Sequence, residues 1–186
     1  AVLGLDLAGT VIEVSDTVEG FAPGDEIFGM AGGIGGAQGA MAEYIAVDAR
    51  LIAPKPQTMS MREAAALPLV FITAWEGLVD HAHVHMGQRV LIHGGAGGVG
   101  QVAVQLAKAR GAEVFATGSA GSLDFIRSLG ATAIDYQAQS VESYVERYTA
   151  GEDFDIVYDT VGGSTLDASF KSVRAYSGHV LSCLGW

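Results

Sequence analysis

The chain has 186 residues, 49% hydrophobic and 17% charged, the proportions of a globular protein with a sizeable core rather than of a disordered chain. Ten basic against 21 acidic side chains give a net charge of −11, which repels phosphate backbones and anionic lipid surfaces and argues against nucleic-acid and membrane partners. The longest apolar run, Ala64 to Ile72, is broken by Pro68 and falls well short of the about 20 residues a bilayer span needs.

Up to about Pro56 the chain is rich in glycine, proline and strand-forming residues. Thr10 to Val14 and Glu43 to Val47 alternate as half-buried strands do, Pro23-Gly24-Asp25 signals a turn, and Ala31 to Ala40 reads as a glycine-rich loop. After Pro56 the texture changes. Ser60-Met61-Arg62-Glu63 forms a capping box ahead of Ala64 to Leu67, and a helix containing Trp75 and Leu78 is expected to end just before Met86-Gly87. We therefore divide the chain into an irregular β region, 1–56, and an α/β region, 57–186.

In the second region Arg89 to His93 predicts a buried strand. Val99, Val102, Ala103 and Leu106 follow at helical spacing, closed by Gly111. Glu113 to Thr117 predicts a strand, Leu123 to Leu129 a helix closed by Gly130, and Thr132 to Tyr136 a strand. Ser140 caps a helix with Val141, Tyr144, Val145 and Tyr148 on one face. Asp155 to Asp159, Thr165 to Val173 and His179 to Cys183 read as strand, helix and strand. Strands separated by helices demand parallel pairing, so the fold class is α/β with a doubly wound parallel sheet.

Gly95, Gly97 and Gly100 form G-x-G-x-x-G between the first predicted strand and its helix. Glycines there permit the tight turn, and Ala96, Gly97, Gly98 and Val99 can bring backbone N–H groups against a pyrophosphate at the helix N-terminus. About twenty residues further on, NAD sites place an acidic residue on the ribose hydroxyls. Here stand Thr117-Gly118-Ser119-Ala120, with no carboxylate before Asp124. Nothing repels a 2′-phosphate at Gly118, and Ser119, Ser122 and Tyr136 could donate hydrogen bonds to it, so NADPH is the expected cofactor.

His81, His83 and His85 are expected at a solvated helix end, with His83 turned away from the other two, rather than in a metal site. His93 and His179 read as structural histidines within strands. Cys183, the one cysteine, has no base near it and reads as packed; a single cysteine also suits a reducing, cytoplasmic setting. Tyr44, Phe71 and Trp75 are read as core, with pocket lining as the alternative. The chain begins without a signal-peptide pattern or an initiator methionine, which suggests a piece of a longer protein.

Taken together, Gly4-Leu5-Asp6-Leu7-Ala8-Gly9-Thr10-Val11, Pro23-Gly24-Asp25-Glu26-Ile27, Gly39-Ala40-Met41-Ala42-Glu43-Tyr44, Ala64-Ala65-Ala66-Leu67-Pro68, Thr73-Ala74 and Val90 to His93 leading into Gly97-Gly98-Val99-Gly100 resemble the zinc-independent, quinone oxidoreductase-like branch of the medium-chain dehydrogenase/reductase superfamily. The resemblance implies part of a GroES-like β domain up to Pro56 and a Rossmann nucleotide-binding domain from residue 57, with sequence absent before Ala1 and the last sheet strand absent after Trp186. It adds Thr73, Val161, Cys183 and Gly185 to the cofactor-binding set. Zinc-dependent relatives carry ligands where this chain has Leu5 and Leu69, and a cysteine-rich lobe where it has none, so the resemblance implies no zinc. It also implies a homodimer and hydride transfer to a small-molecule quinone or α,β-unsaturated carbonyl. Enoyl-thioester reduction and a non-catalytic, crystallin-like NADPH-binding role are the alternatives. No residue is identified as the proton donor, and the catalytic residues are unassigned.

Overall fold

The computed structural model describes residues 2–33 and 38–184, so the middle of the expected glycine-rich loop lies outside the described residues. The chain forms two compact units, Ala1–Val70 and Phe71–Trp186. This division falls later than the change of texture at Pro56, because the Asp6 carboxylate accepts the Leu69 N–H at 3.0 Å and ties the stretch after Pro56 to the first unit.

The first unit holds an antiparallel sheet of β1 (Asp6–Thr10), β2 (Glu26–Met30) and β3 (Ile52–Pro54), in that order. Leu7 and Ile27 are its buried side chains. The expected strand over Thr10 to Val14 begins earlier and stops at Thr10. Past it, Val11 bonds only to Asp25 and Gly24 at the turn. Glu43 to Val47 forms no strand: alternation makes a strand only where another strand supplies the ladder, and no strand pairs with it among the described residues. The capping box is present. Ser60 Oγ accepts the Glu63 N–H at 3.3 Å and Glu63 Oε2 accepts the Ser60 N–H at 2.9 Å, opening the short helix α1 (Met61–Ala64).

The second unit is built on a five-stranded, all-parallel sheet in the order β6-β5-β4-β7-β8, with β4 (Arg89–His93) central, β5 (Glu113–Gly118) and β6 (Thr132–Asp135) to one side, and β7 (Ile156–Asp159) and β8 (His179–Ser182) to the other. Val90 and Ile92 pack with Ala103, Val104 and Ala107 of α3 (Gly98–Ala109) and Ile126 of α4 (Leu123–Ser128). Leu91, Phe115 and Val157 pack with Tyr144 and Val145 of α5 (Val141–Thr149) and with Phe154. Both faces are covered, which is why β4 reads as a continuous apolar run rather than an alternating one. Each fully buried aliphatic side chain there contributes roughly 1.5–3 kcal/mol. α6 (Ser164–Phe170) leads from β7 toward β8. α2 (Pro68–Trp75) runs into a π-helical segment, Glu76–His81, and ends there instead of at Met86. His83 takes a left-handed φ of 51°, and the Val84 N–H closes back on Leu78 O.

Candidate functional site

β4 brings His93 to the carboxyl edge of the sheet, and the chain turns through Gly94 to Gly97 into α3. The turn is closed by its own backbone: Gly95 N–H donates to Thr117 O and Gly97 N–H to Gly94 O, both at 2.9 Å. A Cβ on Gly95 would lie 2.6 Å from that of Ala116, and one on Gly100 would lie 2.1 Å from Gly94 O. These two glycines are therefore required for the strand and helix to approach. Gly97 differs. It is exposed, and a Cβ there would meet only Gly94 O, at 3.2 Å, so its bareness keeps open the space outside the turn. The N–H groups of Gly98, Val99 and Gly100 have no acceptor within the helix, and the helix dipole adds partial positive charge. A pyrophosphate fits this cradle in a chain whose overall charge would otherwise repel it.

To one side, β5 ends at Gly118, where a Cβ would lie 2.5 Å from Ser122 Oγ and 2.6 Å from Ile126 Cδ1. Ser119 is exposed beside it, and Tyr136, 56% exposed, donates its backbone N–H to Gly118 O at 3.3 Å. The structure thus gathers Gly118, Ser119, Ser122 and Tyr136. The Ser122 hydroxyl, read from sequence as a donor to a phosphate, donates to Ser119 O at 2.9 Å and shapes the loop.

To the other side β7 ends at Asp159, whose fully buried carboxylate accepts the N–H groups of Val161 at 2.9 Å and Gly162 at 3.1 Å. Thr160 Oγ1 donates to His93 O at 2.7 Å, joining the ends of β4 and β7. Val161 lies against the glycine turn: a Cβ on Gly94 would meet its Cγ2 at 2.9 Å. Cys183 donates its N–H to Asp159 O, and burial pushes its thiol pKa up, away from nucleophilic use. The Tyr158 hydroxyl donates to Thr73 O at 2.8 Å, placing Thr73 at this same end. Gly185 lies outside the described residues.

His93 is 3% exposed. Its Nδ1 meets Thr117 Oγ1 at 3.3 Å, that oxygen also accepts the Gly94 N–H at 3.2 Å, and Nε2 has no hydrogen-bond partner among the described residues. Desolvation pushes its pKa down to about 4, against the opposing pull of Asp159. It is a neutral structural histidine, whereas His179 is exposed. His81 faces Glu76, while His83 and His85 bond to the backbone carbonyls of Val79 and Met86. Among the described residues no three His, Cys, Asp or Glu side chains gather as metal ligands. Tyr44, Phe71 and Trp75 are 72%, 44% and 37% exposed, not core. Phe71 and Trp75 lie against each other, ring centroids 5.8 Å apart, and Arg110 lies 5.2 Å over the Trp75 ring. Sequence reasoning missed Tyr158 and the bond from Thr160 to His93 O, because a tyrosine inside an apolar strand and a threonine after it carry no local signal of their partners.

Residues 1–57 match the alcohol dehydrogenase GroES-like domain, and residues 98–183 match the zinc-binding dehydrogenase family. The crystal structure of an alcohol dehydrogenase superfamily protein from Novosphingobium aromaticivorans is 59% identical, with a TM-score of 0.97, over 100% of this chain and 56% of that one. The 2-methylene-furan-3-one reductase of Solanum lycopersicum is 44% identical over 166 residues, 86% of this chain and 41% of the relative. The spectinabilin polyketide synthase system protein NorB of Streptomyces orinoci is 42% identical over 172 residues, 92% of this chain and 8% of the relative. The chain spans about half the length of the solved relative and less of the curated ones. It belongs to the medium-chain dehydrogenase/reductase superfamily of oxidoreductases, which bind nicotinamide dinucleotides, and solved quinone oxidoreductases are among the structures similar to it. No helix among the described residues is long and apolar enough to cross a membrane.

Proposed function

We propose that the whole protein is an NADPH-dependent, zinc-independent oxidoreductase that reduces a quinone or an α,β-unsaturated carbonyl. The observation that supports it best is the open glycine turn beneath the first turn of α3, flanked at the end of β5 by Ser119 where an NAD site would hold a carboxylate. When bound, the nicotinamide supplies the hydride. The chain's own residues hold the pyrophosphate at Ala96 to Val99, leave the exposed Ser119 for a 2′-phosphate while the missing side chain of buried Gly118 makes room for Ser122 and Ile126, and offer Thr73, Val161 and Cys183 to the nicotinamide half at the ends of β7 and β8. The tomato relative's name specifies an enone of the proposed class. Likeness to the solved CurK enoyl reductase, 33% identical over 97% of this chain, favours a second reading, reduction of an enoyl thioester. Turnover of naphthoquinone or a simple enone against crotonyl thioester separates the two, and NADPH binding with turnover of neither would point to a non-catalytic binder. A cytoplasmic setting and a homodimer belong to the same proposal.

Cofactor choice is the direct test. NADPH should bind tighter than NADH by roughly 10- to 100-fold, about 1.4–2.8 kcal/mol, the scale of one exposed hydrogen bond to a charged group. Ser119→Asp should abolish or reverse this by setting like charges together. Fluorescence titration at fixed salt reads it, and equal affinities in the unmutated protein, or an unchanged ratio in the variant, would defeat the NADPH assignment.

The proposed zinc independence is supported by Leu5 and Leu69, non-ligating side chains at the positions where the resemblance implies zinc ligands in zinc-dependent relatives. Thermal melts with and without a strong chelator should coincide. A chelator-dependent drop in Tm, or stoichiometric zinc by elemental analysis, would reverse this conclusion.

A further inference from the structure

We infer that Tyr158 is a positioning residue for the nicotinamide half of the dinucleotide: its buried hydroxyl pins the Thr73 carbonyl of α2 to the β7–β8 end of the sheet. The inference rests on the dinucleotide reading above. With the pyrophosphate at the start of α3 and the adenosine half beside Gly118, the rest of a dinucleotide crosses the point where strand order reverses, between β4 and β7, and continues toward β8. Thr73 and Cys183 stand there, on elements far apart in sequence. The Tyr158 hydroxyl donates to Thr73 O at 2.8 Å across 85 residues, and Cys183 packs against the same core cluster as Tyr158 while its thiol donates to Asp159 O at 3.8 Å.

Three observations make this a built arrangement. Tyr158 is 2% exposed in a strand whose neighbours on the same face are aliphatic, where phenylalanine would fill the same space; a buried hydroxyl is tolerated only where it is hydrogen-bonded. Gly77 of the π-helical segment faces the ring so closely that a Cβ would lie 2.9 Å from Cζ and 3.0 Å from the hydroxyl oxygen, so the helix leaves room for this phenol. The α-helical path of α2 also changes to π-helical immediately after Trp75, beside the bonded carbonyl, and such segments are rare and frequent at functional sites.

Tyr158→Phe keeps the ring and removes the bond. Titration calorimetry of the whole protein with NADPH and with 2′-phospho-ADP-ribose, which lacks the nicotinamide, should show NADPH weakened about 5- to 10-fold and the nicotinamide-free ligand unchanged. Gly77→Ala, which pushes the ring without removing its hydroxyl, should produce the same selective loss and serves as the test if Tyr158→Phe does not fold. Unchanged NADPH affinity in the folded variant, or equal weakening of both ligands, overturns the positioning role. Failure of the unmutated protein to bind either ligand overturns the dinucleotide reading, and this inference with it.

Discussion

Replacing Gly100 by alanine is expected to lower stability by about 3 kcal/mol and to abolish dinucleotide binding. The added Cβ would sit 2.1 Å from Gly94 O and 2.8 Å from Gly94 C. Both opposing atoms are backbone, so relief requires moving the turn itself; overpacking of this kind costs about 1–3 kcal/mol, with the upper end expected where no side chain can yield. Moving the turn also tilts the N–H groups of Gly98 and Val99 away from the ligand. Gly97→Ala provides the contrast. Its Cβ meets only Gly94 O, at 3.2 Å, so Tm should move little while dinucleotide affinity falls, because the methyl occupies space a pyrophosphate would use. Gly121→Ala, with nothing within 4 Å, should change neither. Denaturant melts and cofactor titration on the three variants test the assignment, and equal stabilities for the Gly100 and Gly97 variants would contradict it.

Stability should fall as the pH is lowered from about 6.5 toward 4, and His93 should account for a distinct part of the fall. Its folded pKa of about 4 lies below the unfolded value of 6.5 because burial disfavours the imidazolium. Between those values the unfolded chain takes up a proton that the native state refuses. The stabilisation is therefore fully present above pH 6.5 and lost as pH falls through the folded pKa, about 3 kcal/mol in all. His93→Gln, whatever its own stability, should flatten the dependence most clearly between pH 6.5 and 5, before most carboxylates titrate. Urea unfolding at half-unit pH steps measures this, and parallel curves for the native protein and His93→Gln would show that the histidine is not buried neutral.

Much of the second unit was legible because its signals are local. Arg89 to His93 is the observed β4 to the residue, since a strand covered on both faces announces itself as an unbroken apolar run. The helix after Ser140 buries the face expected of it, with Tyr144 and Val145 in the core and Val141 and Tyr148 packed beside them. The Ser60–Glu63 capping box closes within four residues, and the glycine fingerprint lies between the strand and helix that give it meaning. Where the deciding partner is distant, the reading fell short. Glu43 to Val47 alternates but has no ladder, and the helix expected to reach Met86 is turned out of its path at His83.

The order of elements, the turn that would hold a pyrophosphate and the absence of a carboxylate after β5 were determined by the residues themselves, because each depends on steric and hydrogen-bonding preferences acting over a few positions. Tertiary structure alone decided the rest. Tyr44, Phe71 and Trp75 are apolar enough for a core, yet only packing could show them exposed. Ser122 turns its hydroxyl onto the Ser119 carbonyl, and Tyr158 reaches Thr73 across 85 residues. A buried hydrogen-bonding group takes whichever partner the fold brings within about 3 Å, and that distance is set by the whole path of the chain rather than by its neighbours in sequence.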